Sequence, residues 1–182
     1  MNDQRAPKAL ICRYLMQHTT MSLATCHYGQ PWVTNLFYAS DDRCCLYFVS
    51  RGATRHCQDI ASNPQVSASI SGEVADWEQI KGLQLDGLVE VVSKADRASV
   101  IETYLAKFPS LQKMRQSPRN TQDRLIYRIL LASSFYRISP KWIRLIDNSK
   151  GFGHKVELIL QPQSVLSKDE DHCSNHWAKE PR

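Results

Sequence analysis

No apolar run in these 182 residues approaches the roughly 18 to 20 positions needed to cross a bilayer. The opening segment, MNDQRAPKAL, also lacks the apolar stretch and cleavage pattern of a secretory signal. Together these absences predict a cytoplasmic protein with no membrane partner. The six cysteines (Cys12, Cys26, Cys44, Cys45, Cys57 and Cys173) contain no CxxC pair, and two of them are adjacent, so they read as reduced thiols rather than a disulfide framework. A Walker loop, a Ser-His-Asp order and a paired-carboxylate spacing are all missing, which leaves hydrolase chemistry without a motif. Charge of one sign is scarce as well: 23 Lys and Arg against 18 Asp and Glu leave a formal +5, dispersed along the chain. Without a reading motif beside it, that balance predicts no nucleic-acid partner; binding of RNA or DNA through the basic surface would show as a steep salt dependence. His172, Cys173 and His176 have ligand-like spacing but no fourth donor nearby, so no metal site is expected.

What the chain does hold is enough apolar content, 42%, to close one core. Residues 7–18 place Leu10, Ile11, Tyr14 and Leu15 at helical spacing. Residues 21–26 alternate, Tyr28 to Pro31 read as a turn, and residues 32–39 are rich in aromatic and β-branched side chains. After a turn at Asp41-Asp42-Arg43, residues 45–50 form a compact apolar run, so three strands in an antiparallel meander are expected. Residues 54–64 predict a short helix with Thr54 as N-cap and a stop at Asn63-Pro64, and residues 66–71 a fourth strand. Residues 82–92 predict a long fifth strand with a bulge or bend at Gly87. Ser93 to Asp96 have the spacing of a capping-box variant ahead of a helix that runs to Pro109. Within residues 110–132 the polar stretch Gln116 to Asp123 reads as a loop, and Leu125 to Leu131 reads equally as helix or strand. Three more strands are expected at 135–138, 142–146 and 156–160, and from Gln161 the composition turns polar, predicting one domain over 1–160 and a poorly ordered tail over 161–182. Seven or eight short strands with a few helices imply a closed or nearly closed barrel, since closure removes exposed edges.

The strongest local constellation is Val49-Ser50-Arg51-Gly52-Ala53-Thr54-Arg55-His56. A strand ends, a glycine turns the chain, and a helix begins with a hydroxyl, a guanidinium and an imidazole. First-turn amides, the helix dipole and the Arg55 fork all suit a phosphate there. An equally simple reading is a capped helix carrying a solvated arginine. A second constellation is Asp147-Asn148 followed by Gly151-Phe152-Gly153-His154-Lys155, where two glycines let the backbone approach a ligand; the alternative is an ordinary connecting loop. Met21 and Trp32 are read as core.

The order GQPWVTNLFYA, LYFVS, TRHCQDIASNPQV and IKGLQLDGLVEVV resembles the pyridoxamine 5'-phosphate oxidase-like FMN-binding split-barrel superfamily. WIRLIDNSKGFGHK is similar to its YhbP-type bacterial branch, and the likeness extends over about residues 10 to 160. The resemblance implies a mainly β fold, a split β-barrel with flanking helices, holding flavin mononucleotide (FMN) at a homodimer interface. It implies that Arg55 grips the phosphate beside Thr54, and that His56 stands where many members carry lysine, making the local charge pH-dependent. It further places Thr34, Asn35 and Leu36 beneath the flavin ring, Val49 and Ser50 at its polar edge, Gln84 near the dimer boundary, and Asn148 and Lys155 in the branch's own signature. The strand after Pro31 ends in Phe37-Tyr38-Ala39, without the lysine by which the oxidase reaches its cofactor, and the oxidase's C-terminal Arg and His pattern is missing. Oxidation of pyridoxamine phosphate is therefore not implied. The expected function is an FMN-dependent oxidoreductase acting on an unidentified small molecule, with catalytic residues unassigned; the alternative is a non-catalytic flavin or haem module of the same fold.

Overall fold

The computed structural model describes residues 5–160. The expected tail and its His-Cys-His spacing lie outside the described residues. Helix α1 (Arg5–Gln17) buries Ile11, Tyr14 and Leu15, as its spacing requires. Strands β1 (Thr20–His27) and β2 (Gln30–Phe37) form a hairpin closed by Tyr28 and Gly29. Both turn residues have positive φ, 47° and 73°, the twist that a two-residue hairpin demands. Pro31 is tolerated because β2 is a sheet edge.

The third strand does not continue a meander. The chain leaves β2 through the short β3 (Ala39–Ser40), turns on Asp41, whose Oδ1 accepts from the amides of Arg43 and Cys45, and enters β4 (Leu46–Ser50). Strand β4 pairs with β3 and with a strand far ahead in sequence. Local turns suggested the meander, but β4 pairs along its whole length with that distant strand, and both its faces are covered. Leu46 and Phe48 enter the barrel core, whereas Tyr47 enters a second cluster with Val100, Tyr104 and Phe135.

Helix α2 (Arg55–Ser62) leads to β5 (Gln65–Ser71) and the long β6 (Lys81–Val91). Helices α3 (Arg97–Lys107), α4 (Pro109–Gln116) and α5 (Thr121–Ala132) follow, so Leu125 to Leu131 are helix and the expected loop is confined to residues 117–120. The Ser93 hydroxyl bonds both the amide and the carboxylate of Asp96, so that motif shapes the turn before α3 and does not cap the helix itself.

Strand β7 (Ser134–Asp147) replaces two of the expected strands with one of 14 residues. It pairs with β6 along one edge; along the other it pairs first with β4 and then with β8 (Lys155–Ile159). Ser139 and Pro140, whose chemistry predicts a break, fall where β4 has ended and β8 has not begun, so the missing proline N–H interrupts neither outer ladder. The register shift at Asp86/Gly87 leaves Lys141 as the extra residue of a bulge, as the glycine suggested. The sheet order is β2-β1-β5-β6-β7-β4-β3, with β8 also on β7. It curls around one core whose largest buried members include Tyr38, Phe48, Ile11 and Leu15. Strands β2 and β4 approach one another without forming a ladder, so the barrel is split and carries flanking helices.

Candidate functional site

Helix α2 closes one end of this barrel. The Thr25 hydroxyl, on the core face of β1, donates to Asp59 Oδ2 at 2.7 Å, and the Asn63 amide donates to the Cys26 carbonyl at 3.1 Å. Both bonds fasten the helix to the β1-β2 hairpin. Its N-terminus therefore opens beside the end of β4, where the backbone folds back through Thr54 N–H donating to Arg51 O at 3.0 Å. Thr54 occupies the N-cap position with extended backbone, yet its side chain makes no cap hydrogen bond. The hydroxyl instead donates to Arg51 O at 2.9 Å and lies 3.1 Å from His56 Nε2 and 3.2 Å from Ser50 Oγ. The first-turn amides thereby lack the bond that an N-cap side chain normally gives them.

Arg55 is exposed and its guanidinium lies over the Trp32 ring, its Cζ 4.3 Å from the centroid. No carboxylate pairs with it among the described residues. His56 turns the other way: it is buried, and Ser50 Oγ holds its Nε2 at 2.8 Å. The adjoining Cys57 is 4% exposed. Burial pushes its thiol up, but hydrogen bonds with His56, Thr54, Tyr136 and Ser50 outweigh that and bring it down to about 7. Burial, reinforced by the bond to Cys57, pushes the Tyr136 phenol up to about 12.

The residues singled out from sequence fall into three groups. Val49, Ser50, Thr54, Arg55 and His56 meet at the mouth of α2, with Thr34 and Leu36 on the core-side face of β2 that also carries Trp32. Asn35 and Gln84 lie on the opposite, outer face of the sheet. There Asn35 Oδ1 accepts from Ser22 at 2.8 Å, and Gln84 lines a depression of about 640 Å³ with Val33, Ser69 and Trp142. Asn148 and Lys155 belong to the far end of β7. Asn148 fastens its loop by donating to Trp77 O at 2.9 Å and accepting from Gly153 N–H at 3.1 Å, and Phe152 packs edge-on against Trp77. Lys155 lies 3.8 Å from Glu157. Beside them Asp147 meets Lys81 at 2.9 Å and accepts from the Ser149 hydroxyl; burial raises its pKa, and these two partners lower it further, to a value below the usual aspartate range. Within one chain the two constellations are separated by the length of β7, from Ser134 opposite Ser50 to Asp147, a contour of about 40 Å.

Trp32 was misread as core: it is 41% exposed and carries Arg55. Its signal was available in the hairpin, because Trp32 lies opposite Thr25 and so faces α2. Met21 is buried as expected, and all five cysteines among the described residues are free. No described helix is long and apolar enough to cross a membrane. No group of three potential metal ligands occurs among the described residues.

An antiparallel split barrel closed at one end by a helix with uncapped N-terminal amides and an arginine that no carboxylate pairs among the described residues defines the class. The family profile described as pyridoxamine 5'-phosphate oxidase matches residues 10–144, and the chain belongs to that family. Within it the chain is similar to the UPF0306 proteins, at 26% identity over 152 residues to one from Enterobacter sp. (strain 638), covering 83% of this chain and 95% of that one. The UPF0306 protein YhbP of Salmonella arizonae is 25% identical over 150 residues, covering 82% and 90%. Among solved structures, a FAD-binding protein from Mesorhizobium loti superposes with a TM-score of 0.53 at 21% identity, over 74% of this chain and 91% of that one. A heme binding protein from Mycobacterium smegmatis gives 0.61 at 15% identity, over 84% and 57%.

Proposed function

We propose that this chain binds FMN with its phosphate on the N-terminus of α2, and that it serves as a flavin-dependent oxidoreductase for a small molecule. The observation that carries the reading is the pairing of two unmet demands at one point: first-turn amides that Thr54 leaves uncapped, and an arginine that no carboxylate pairs among the described residues. Bound FMN supplies the electron or hydride transfer. The chain's own part is to hold and orient. The amides and Arg55 take the phosphate, and Val49, Ser50, Thr34 and Leu36 flank the entry, whereas Asn35 and Gln84 face away from it on the outer side of the sheet. Asn148 and Lys155 lie too far along β7 to join the same pocket in one chain, so in this reading a second copy brings them, and the working unit is a homodimer with flavin at the interface. Family membership and the FAD-binding structural relative support this choice of ligand.

FMN added to purified protein is expected to raise Tm in a concentration-dependent way, since a ligand that binds only the folded state stabilises it. Arg55→Ala should weaken FMN binding roughly ten- to a hundredfold, the range for losing a charge-assisted pair, and leave riboflavin binding unchanged; flavin fluorescence titration measures both. A protein that neither shifts its Tm nor quenches flavin fluorescence would sink the proposal. Anaerobic reduction of the loaded protein by NAD(P)H, faster than that of free FMN, separates enzyme from carrier.

A second reading, storage of haem or another planar ligand, draws on the haem-binding relative and on His154, whose Nδ1 is buried without a hydrogen-bond partner among the described residues. His56 suits it less, because two hydroxyls already engage its Nε2. A sharp Soret band on haem titration that vanishes in His154→Ala would favour this reading.

A further inference from the structure

We infer that Trp32 is the positioning residue for Arg55, and that their cation–π pair makes the mouth of α2 select ligands ending in a phosphoryl group. The inference rests on the FMN reading above and goes beyond it by naming the residue that sets the preference. A long, exposed arginine loses about 2 kcal/mol of rotamer freedom when fixed, and normally loses it only as the ligand binds. Here the guanidinium already lies over an indole face, its Cζ 4.3 Å from the ring centroid. A guanidinium held by a ring face leaves N–H donors free, so it is held without spending the donors that a phosphate needs. A carboxylate partner would fix the side chain equally well but would occupy that fork.

The hairpin sets the indole where this requires. Trp32 pairs with Thr25, Thr25 bonds Asp59 of α2, and Asp59 lies one helical turn beyond Arg55. Helix and platform are therefore tied to the same two strands. Trp32 is 41% exposed on an edge strand, so no core duty accounts for a residue of its size.

The test compares FMN with riboflavin, which differ by the phosphate alone, by equilibrium fluorescence titration of the wild type, Trp32→Phe, Trp32→Leu and Arg55→Ala. The expected result is that Trp32→Leu loses roughly three- to thirtyfold in FMN affinity, the range of a cation–π contact, with riboflavin unaffected, while Trp32→Phe retains most of the preference. If leucine serves as well as phenylalanine, Trp32 is only apolar cover and the inference is overturned. If Arg55→Ala keeps the full preference for FMN, the phosphate reading itself fails. Loss of preference in Arg55→Ala but in neither Trp32 variant overturns the positioning role alone. Melting curves of all four proteins show whether each is folded.

Discussion

Gly87 illustrates how much a single side chain is worth in this fold. A Cβ there would lie 2.5 Å from the Ser139 carbonyl oxygen and 2.9 Å from Pro140 Cα, both backbone atoms of the bulge and neither free to yield. Gly87→Ala is therefore expected to cost about 1–3 kcal/mol, read from urea unfolding. Cys57 offers a second test. Thiolate absorbance near 240 nm should titrate with a midpoint near pH 7 and disappear in Cys57→Ser, because burial drives the other inward-facing thiols, Cys44 and Cys45, upward. At this scale the sequence was legible wherever a residue type has one dominant use. A strand glycine meant a bulge, and a basic residue at a helix start meant an open arginine. Trp32 was not legible, because an aromatic on a strand belongs to core or surface according to which face the hairpin register gives it. His56 was likewise ambiguous, since adjacent helical residues point in directions about 100° apart.

Elements were read best where periodicity was unbroken. Helix α1, strands β1, β5 and β6, and helix α2 all lie within two residues of their expected limits at each end. Failures came where local chemistry and tertiary demand disagree. Ser139-Pro140 has the chemistry of a break, yet β7 runs through it; residues 110–132 carry polar and apolar signals together because α4 buries none of its residues and α5 only Asp123, leaving Leu125 and Ile129 exposed. One element contact makes its own prediction. Lys107 of α3 donates to the Leu15 carbonyl at the end of α1 at 2.6 Å and lies over the Tyr38 ring, and burial pushes its pKa down to about 8. An unfolded lysine titrates near 10.4, so between about pH 8 and 10 the unfolded chain holds more protons and stability should rise with pH. Lys107→Met should flatten that slope without loss of stability at pH 7, because the Tyr38 hydroxyl still satisfies Leu15 O. Chemical denaturation at several pH values checks both statements.

On the scale of the whole molecule, the proposed dimer makes flavin retention a matter of protein concentration. Serial dilution should release FMN in step with dissociation to monomers, whereas a self-sufficient monomer would show one affinity at every concentration; analytical ultracentrifugation with absorbance at flavin wavelengths follows both. None of this could be read from one chain's pattern of strands, because strand order depends on pairings such as β4 with β7, separated by more than eighty residues. The tandem arrangement along β7 has one more effect. Because β4 and β8 occupy successive halves of the same edge, the sheet carries a perforation at Ser139–Pro140. Under mild stress the β8 flap should tear away along it, exchanging its amide hydrogens early, while the half that cradles Ser50 stays zipped.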